Sequence, residues 1–192
     1  MDFSIRKAND RDKMNIARTI ALSFKKDFSG LSKDLERIAR VLENGVDPTR
    51  FLISELGGNI VGISGCSDYK VRAVTPTKSD CRKHLGLIRG FFAYQVFYEE
   101  FVKPINYPAT TGYIEIVGVV PEARGKGIAK EMLNKSVELN HQYSEFVLNV
   151  TDINVTAIKL YEGFGFVEYE RIPYKYAKQA GFNTKIYMKY TR

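Results

Sequence analysis

The sequence predicts an α/β fold, a single domain over residues 1–192 with a mixed, mainly antiparallel central sheet flanked by helices. Three observations lead there. A Gly57-Gly58-Asn59 turn joins two β-branched runs, strand and helix rhythms alternate after Tyr113, and 192 residues with 44% hydrophobic content suit one core.

Phe3 and Ile5 alternate with polar neighbours as an opening strand. Asn9 and Asp10 then suit the start of a helix in which Met14, Ala17, Ala21 and Phe24 recur at helical spacing. A second helix follows Ser32, with Leu35, Ile38 and Leu42 on one face, and stops at Asn44-Gly45 before the turn residues Asp47-Pro48. Phe51 to Leu56 and Ile60 to Cys66 form the hairpin around the glycine pair. The tract from about Lys78 to Lys103 is a helical insertion, apolar around most of its circumference, that ought to be covered by core, by a second copy of the chain or as a lid. Pro104 and Pro108 end it. Beyond lie a strand (Tyr113 to Val120), a helix (about Gly127 to Asn140), a strand (Glu145 to Val150), a helix (about Val155 to Glu162) and strands near Val167 and Ile186. Strand, helix and strand with short connections favour a right-handed parallel crossover.

Composition narrows the partners. Lys and Arg number 29 against 22 Asp and Glu, a net charge of +7 that points to anionic company without choosing it. Cys66 and Cys81 are too few for a secreted disulfide framework, and the polar stretch Asp2 to Arg11 carries no apolar signal segment, so a cytoplasmic protein is expected. The longest uncharged apolar piece, Gly90 to Tyr98, cannot cross about 30 Å of hydrocarbon, so no membrane partner is expected. Cys81 and His84, with Cys66 and His141 at irregular distances, do not make a zinc pattern, and neither His belongs to a nucleophilic triad motif.

Chemistry concentrates after the Tyr113 strand, where Pro121-Glu122-Ala123-Arg124-Gly125-Lys126-Gly127-Ile128-Ala129 opens a helix. Glycines let the backbone turn tightly, unpaired amides of a first helical turn point outward, and the helix dipole favours negative charge there. Arg124 and Lys126 add two cations. The bland alternative is a solvated helix start. No Lys-Ser or Lys-Thr follows the glycines, and the three-glycine dinucleotide fingerprint is incomplete.

Val119 to Ala129, followed by Asn154-Val155-Thr156-Ala157-Ile158-Lys159-Leu160-Tyr161-Glu162-Gly163-Phe164-Gly165-Phe166, resembles the GNAT superfamily of N-acetyltransferases. The resemblance covers Tyr113 to Phe166. It implies acetyl-CoA as co-substrate, without metal, lying between two strands that splay apart. Val117, Gly118 and Val119 would offer backbone groups to the pantetheine arm, with Gly118 leaving room beside the thioester and the backbone near Val119 acting as oxyanion donor. Arg124, Gly125, Lys126, Gly127, Ile128 and Ala129 would hold the pyrophosphate. The Leu160-Tyr161 element implies that the Tyr161 hydroxyl protonates the departing thiolate, although its helical spacing with Ala157 and Phe164 by itself reads as core. Asn154 suits a helix N-cap and, by the resemblance, a cofactor contact.

An ammonium has no lone pair to attack a thioester, so a proton acceptor is needed. Glu115, two and four residues before Val117 and Val119, is placed by strand alternation on their face, where a carboxylate could act through water; the alternative is a salt-bridged glutamate. Tyr113 shares that face and would line the acceptor pocket. Arg171, Lys175, Lys178, Lys185, Lys189 and Arg192, interleaved with Tyr174, Tyr176 and Tyr187, form a basic stretch that reads as a solvated face or as a selector of acceptors with anionic groups. The function expected is acetyl transfer to a primary amine of a small molecule or peptide. The alternatives are a basic nucleic-acid-binding module, for which no reading motif is found, and a coenzyme A-binding protein without transferase activity. Homodimerisation would use the apolar helix Leu85 to Val102.

Overall fold

The computed structural model describes residues 3–174, 177 and 181–192. Among the described residues seven strands make one sheet: β1 (Ser4–Lys7), β2 (Phe51–Leu56), β3 (Asn59–Ser67), β4 (Thr111–Val119), β5 (Glu145–Thr151), β6 (Val167–Pro173) and β7 (Thr184–Thr191), in the order β1-β2-β3-β4-β5-β7-β6. Only β4 and β5 run parallel, so the sheet is mixed and mainly antiparallel, as the sequence predicts. Seven helices flank it among the described residues: α1 (Lys13–Ser23), α2 (Lys25–Phe28), α3 (Leu35–Glu43), α4 (Lys78–Leu85), α5 (Leu87–Phe97), α6 (Ile128–Leu139) and α7 (Val155–Phe164).

Local chemistry accounts for these boundaries. Asn9 and Asp12 form a reciprocal capping box that opens a short 3-10 turn leading into α1. Asp34 caps α3, accepting hydrogen bonds from the amides of Glu36 and Arg37. The layers follow from the apolar stripes. Ile16 and Ile20 of α1 and Ile38 and Leu42 of α3 bury against Ile53, Ile63 and Ile116 on one face of the sheet. Leu133 and Val137 of α6 and Tyr161 of α7 bury against Phe146, Leu148 and Met188 on the other. Each such aliphatic side chain contributes about 1.5–3 kcal/mol by leaving water.

The insertion at residues 78–103 departs from expectation. Gly86, at φ +84°, ends α4 and starts α5 in a new direction, and Tyr98–Val102 continue as a π turn, so the tract is two helices and not one. Nor is α5 fully covered. It touches the body through Gly90, Ala93 and Phe97, while Leu87 (77% exposed), Ile88 (76%), Phe91 (51%) and Phe92 (63%) face solvent. A helix apolar on every side that docks along one line leaves its other side bare. Among the described residues no helix is long and apolar enough to cross a membrane.

Candidate active site

The site begins where the sheet parts. β4 pairs with β5 only at Thr111, Gly112 and Tyr113, opposite Glu145, Phe146 and Val147, although β4 continues to Val119 and β5 to Thr151. The Val120 amide donates to the Val61 carbonyl of β3 at 2.9 Å. Strand alternation therefore turns the backbone groups of Val117 and Val119 toward the gap and those of Gly118 toward β3, where Gly118 is in register with Ile63. The Gly118 expectation is corrected on a second count. A Cβ there would meet Ser23 Cβ and Oγ at 3.0 Å and Phe24 at 3.2 Å, so the missing side chain admits the end of α1 and not a thioester.

At the wide end of the gap stands the glycine loop. Gly125 (φ +77°) and Gly127 (φ +79°) hold left-handed conformations, and nothing lies within 4 Å of where their Cβ atoms would be. No side chain caps α6, so its first amides lack a side-chain partner and open space lies beside the two glycines, a geometry that fits an anionic phosphate. Ile128 and Ala129 offer their backbone only, because their side chains pack against Val119 and Met132. Lys126 is exposed on the loop. Arg124 folds back: its Nε donates to the Val119 carbonyl and its Nη2 to the Ser23 carbonyl, both at 3.0 Å, tying the loop to β4 and α1.

Tyr161 lies in the apolar cluster that Val117 also joins, with its ring 6.0 Å from that of Phe166. Burial pushes its hydroxyl up to about 12, which keeps the proton on at neutral pH. Among the described residues that hydroxyl has no hydrogen-bond partner. Asn154 is the N-cap of α7, its Oδ1 accepting from the Ala157 amide at 3.2 Å.

Glu115 is not where strand alternation puts it. Gly65 of β3 faces Ile116 of β4, yet Cys66 faces Ile114, leaving Glu115 as the extra residue of a β-bulge. One added residue reverses the faces. Val117 and Val119 point to the α6 side, whereas Glu115 turns to the other side with Tyr113. Its carboxylate is sealed, with a side chain 2% exposed, and is fully engaged: Arg72 donates to Oε1 from Nε (3.1 Å) and Nη2, while the Ser67 hydroxyl and the Ala73 amide (3.2 Å) donate to Oε2. Burial pushes the Glu115 carboxyl above the ordinary range, against the opposing pull of Arg72. With both oxygens occupied, it is an anchor for Arg72 and not a base poised over water.

Arg72 carries that anchorage outward. Its guanidinium also donates to the carbonyls of Glu100 (2.7 Å) and Lys103 and lies over the Tyr113 ring at 5.8 Å, pinning the end of the helical insertion to the bulge. Between them opens a cavity of about 430 Å³ whose lining includes Arg72, Glu100, Tyr107, Tyr113, Asn149 and Lys185. Tyr113 lines this cavity, its buried hydroxyl accepting from Asn149 Nδ2. Glu100, Arg72, Tyr107 and Asn149 are functional candidates that the sequence reading missed, because nothing in their spacing marks them. A larger hollow of about 540 Å³, between residues 29–34 and Arg89 and Phe92, contains none of the predicted site residues.

The C-terminal basic stretch is no open cationic face among the described residues. Arg171 pairs with Glu168, Lys185 with Glu100, Lys189 lies over Tyr169, and Arg192 donates to the Val137 carbonyl. Lys175, Tyr176 and Lys178 lie outside the described residues. Among the described residues no group of three or more His, Cys, Asp or Glu is placed to hold a metal ion. Cys66 and Cys81 are buried free thiols.

A sheet that parts at its parallel pair, beside an uncapped helix start, is a place where α/β proteins commonly bind ligands. Comparison with known proteins gives the family: residues 18–166 match the model of the acetyltransferase (GNAT) family, and the chain belongs to it. Among curated relatives it is 32% identical over 94 residues to mycothiol acetyltransferase of Frankia casuarinae, covering 46% of this chain and 27% of that protein. It is 37% identical over 67 residues to N-alpha-acetyltransferase 30 of Schizosaccharomyces pombe, covering 34% and 44% respectively. The alignments thus span less than half of either relative. Among solved structures, an N-acetyltransferase from Staphylococcus aureus Mu50 superposes with a TM-score of 0.67 at 19% identity, covering 97% of this chain and all 100% of the other. The yncA protein of Salmonella typhimurium, determined with its cofactor acetyl-CoA, gives 0.60 at 16%, covering 98% and 93%. At these identities the structures establish the shared fold.

Proposed function

We propose that the chain moves an acetyl group from acetyl-CoA directly to a primary amine of a small molecule or peptide. The observation that carries this reading is the parting of β4 from β5 beyond Tyr113, with the glycine loop following β4 and Tyr113 and Asn149 of the two strands lining the cavity. The amides of Gly125 to Ala129 suit a pyrophosphate, and Asn154 at the start of α7 stands as a further cofactor contact beyond its capping role. The amides of Val117 and Val119 suit the pantetheine arm, as an added strand would pair, with Val119 as oxyanion donor.

When bound, acetyl-CoA supplies an activated acyl thioester. Tyr161 keeps its proton because it is buried, and its hydroxyl donates that proton to the departing sulfur. The amine enters from the opposite face through the cavity and gives its proton to water there. Glu115 contributes by holding Arg72, and through it the cavity wall, in place. The reading includes a cytoplasmic location, consistent with two buried thiols left unpaired, and a homodimer that covers the bare side of α5.

Calorimetric titration of the folded protein with acetyl-CoA, followed by thiol-release assays over a panel of amines, tests the proposal. One-to-one micromolar binding with amine-dependent thiol release is expected. Absence of binding removes the cofactor assignment; binding with no thiol release for any amine leaves a coenzyme A-binding protein and removes the transferase.

A further inference from the structure

The cavity that receives the acceptor contains an ammonium of the protein itself. Lys185 Nζ, near the start of β7, lies 2.6 Å from both Oε1 and Oε2 of Glu100, with the Tyr174 ring 5.3 Å from the charge. The Lys185 side chain is 14% exposed and that of Glu100 28%. A carboxylate with an aromatic face beside it is a cation site, and here a cation of the chain fills it.

We propose that Glu100 is the binding site for a second, non-reacting ammonium of the acceptor, so that the preferred acceptors are diamines, and that Lys185 occupies this site until the acceptor displaces it. The inference rests on the acetyl-transfer reading and deepens it. The two members of the ion pair are not equally movable. The Glu100 backbone is held, its carbonyl accepting from Arg72, which is itself locked onto buried Glu115. Lys185 reaches the pair on a flexible four-carbon stem that can swing to water.

Charge decides which member a ligand replaces. The Asp27 carboxyl is raised first by loss of hydration and then by the negative charge of Glu100, so the surroundings of Glu100 already include another acid. An anionic acceptor would draw Lys185 away and leave Glu100 without its cation. An ammonium exchanges one for one with the Lys185 ammonium and leaves Glu100 paired. On this proposal Lys185 does not serve to select an anionic acceptor. In the reaction the near nitrogen of the diamine exchanges an N–H bond for an N–C bond to the acetyl carbon while the C–S bond breaks and the thiol takes a proton. The distal ammonium is unchanged. A cavity of about 430 Å³ lies within the small-molecule range.

Thiol release is measured with 1,5-diaminopentane and with pentylamine, which differ by the distal ammonium. We expect wild-type kcat/KM for the diamine to exceed that for the monoamine by about tenfold or more, the size of one retained charge pair. Glu100→Gln should bring the ratio close to one. Lys185→Met, which vacates the carboxylate, should lower the diamine KM several-fold, a gain that misfolding cannot produce. Equal wild-type rates for the two amines, a ratio that survives Glu100→Gln, or an unchanged or raised diamine KM in Lys185→Met would overturn the proposal. If neither amine releases thiol, the acetyl-transfer reading is decided by the wider amine panel, and calorimetry of 1,5-diaminopentane decides the cation site. Binding by the wild type that is lost in Glu100→Gln supports the site; equal or absent binding removes it.

Discussion

The two sides of the opened sheet are built on different plans. The α6 and α7 side offers backbone: the amides of Val117 and Val119, the glycines at 125 and 127 and an uncapped helix start, beside the buried Tyr161 to which we assign proton transfer. The opposite side uses side chains drawn from separate segments, Arg72, Glu100, Tyr113, Asn149 and Lys185, joined through one buried ion pair. Backbone geometry is set by a short contiguous run, so it can serve one unchanging ligand. Side chains gathered from far apart can be exchanged one at a time, so they suit the part of a site where the ligand differs between proteins.

The largest expected effect breaks the acceptor side. Arg72→Met leaves Glu115 buried without its partner, and urea unfolding should record a loss of about 3–5 kcal/mol. Adding Glu115→Gln should restore part of it, and a loss below about 1 kcal/mol would show that the pair does not anchor the cavity wall. Tyr161→Phe probes the opposite side. It should lower kcat by about ten- to a thousand-fold and shift acetyl-CoA affinity little, so unchanged turnover removes Tyr161 from proton transfer.

Asp68 gives the scaffold its own acid limit, which must be separated from any pH effect at the site. Partial burial opposes its ionisation, but the Lys70 and Val71 amides, Tyr143 and Arg50 together outweigh that and hold the carboxyl down to about 2, below the ordinary 3.8. The folded state therefore favours the ionised form. Its contribution, about 2 kcal/mol, is complete above pH 4 and declines as pH falls toward 2. Asp68→Asn should flatten stability against pH over that window; an unaltered slope would exclude Asp68 as the source.

Gly127→Val places a β-branched residue at φ +79°, where strain of about 1–2 kcal/mol should weaken acetyl-CoA binding about tenfold by calorimetry. Unaltered affinity would mean that the loop is not the phosphate site. The smallest effect concerns Asn154→Ala, which removes the α7 cap and should lower stability by about 1 kcal/mol. A simultaneous fall in acetyl-CoA affinity beyond about twofold would show that Asn154 touches the cofactor as well as the helix.

The legible parts of the sequence were those specified by near neighbours. Gly57 and Gly58 take positive φ in the predicted hairpin turn, and Gly165 ends α7 in the left-handed conformation that its sequence position suggests. The misreadings came from single residues that alter long-range geometry. Gly86 splits a continuous apolar run into two helices, and the bulge at Glu115 reverses the side on which every earlier residue of β4 points. Alternation is a rule about adjacent residues, and a bulge depends on the partner strand.

By itself the sequence determined the order of strands and helices, the glycine loop at the start of α6 and the placing of Tyr161 on the inward face of α7. Turn chemistry, capping and the 3.6-residue period act over a few residues and need no partner. Only the tertiary structure decided that Glu115 is held by Arg72, that Gly118 admits Ser23, and that Glu100 meets Lys185, 85 residues away, in the cavity beside Tyr113. Such pairings depend on which surfaces the fold brings within hydrogen-bonding distance, and that is fixed by burial of the whole apolar pattern at once.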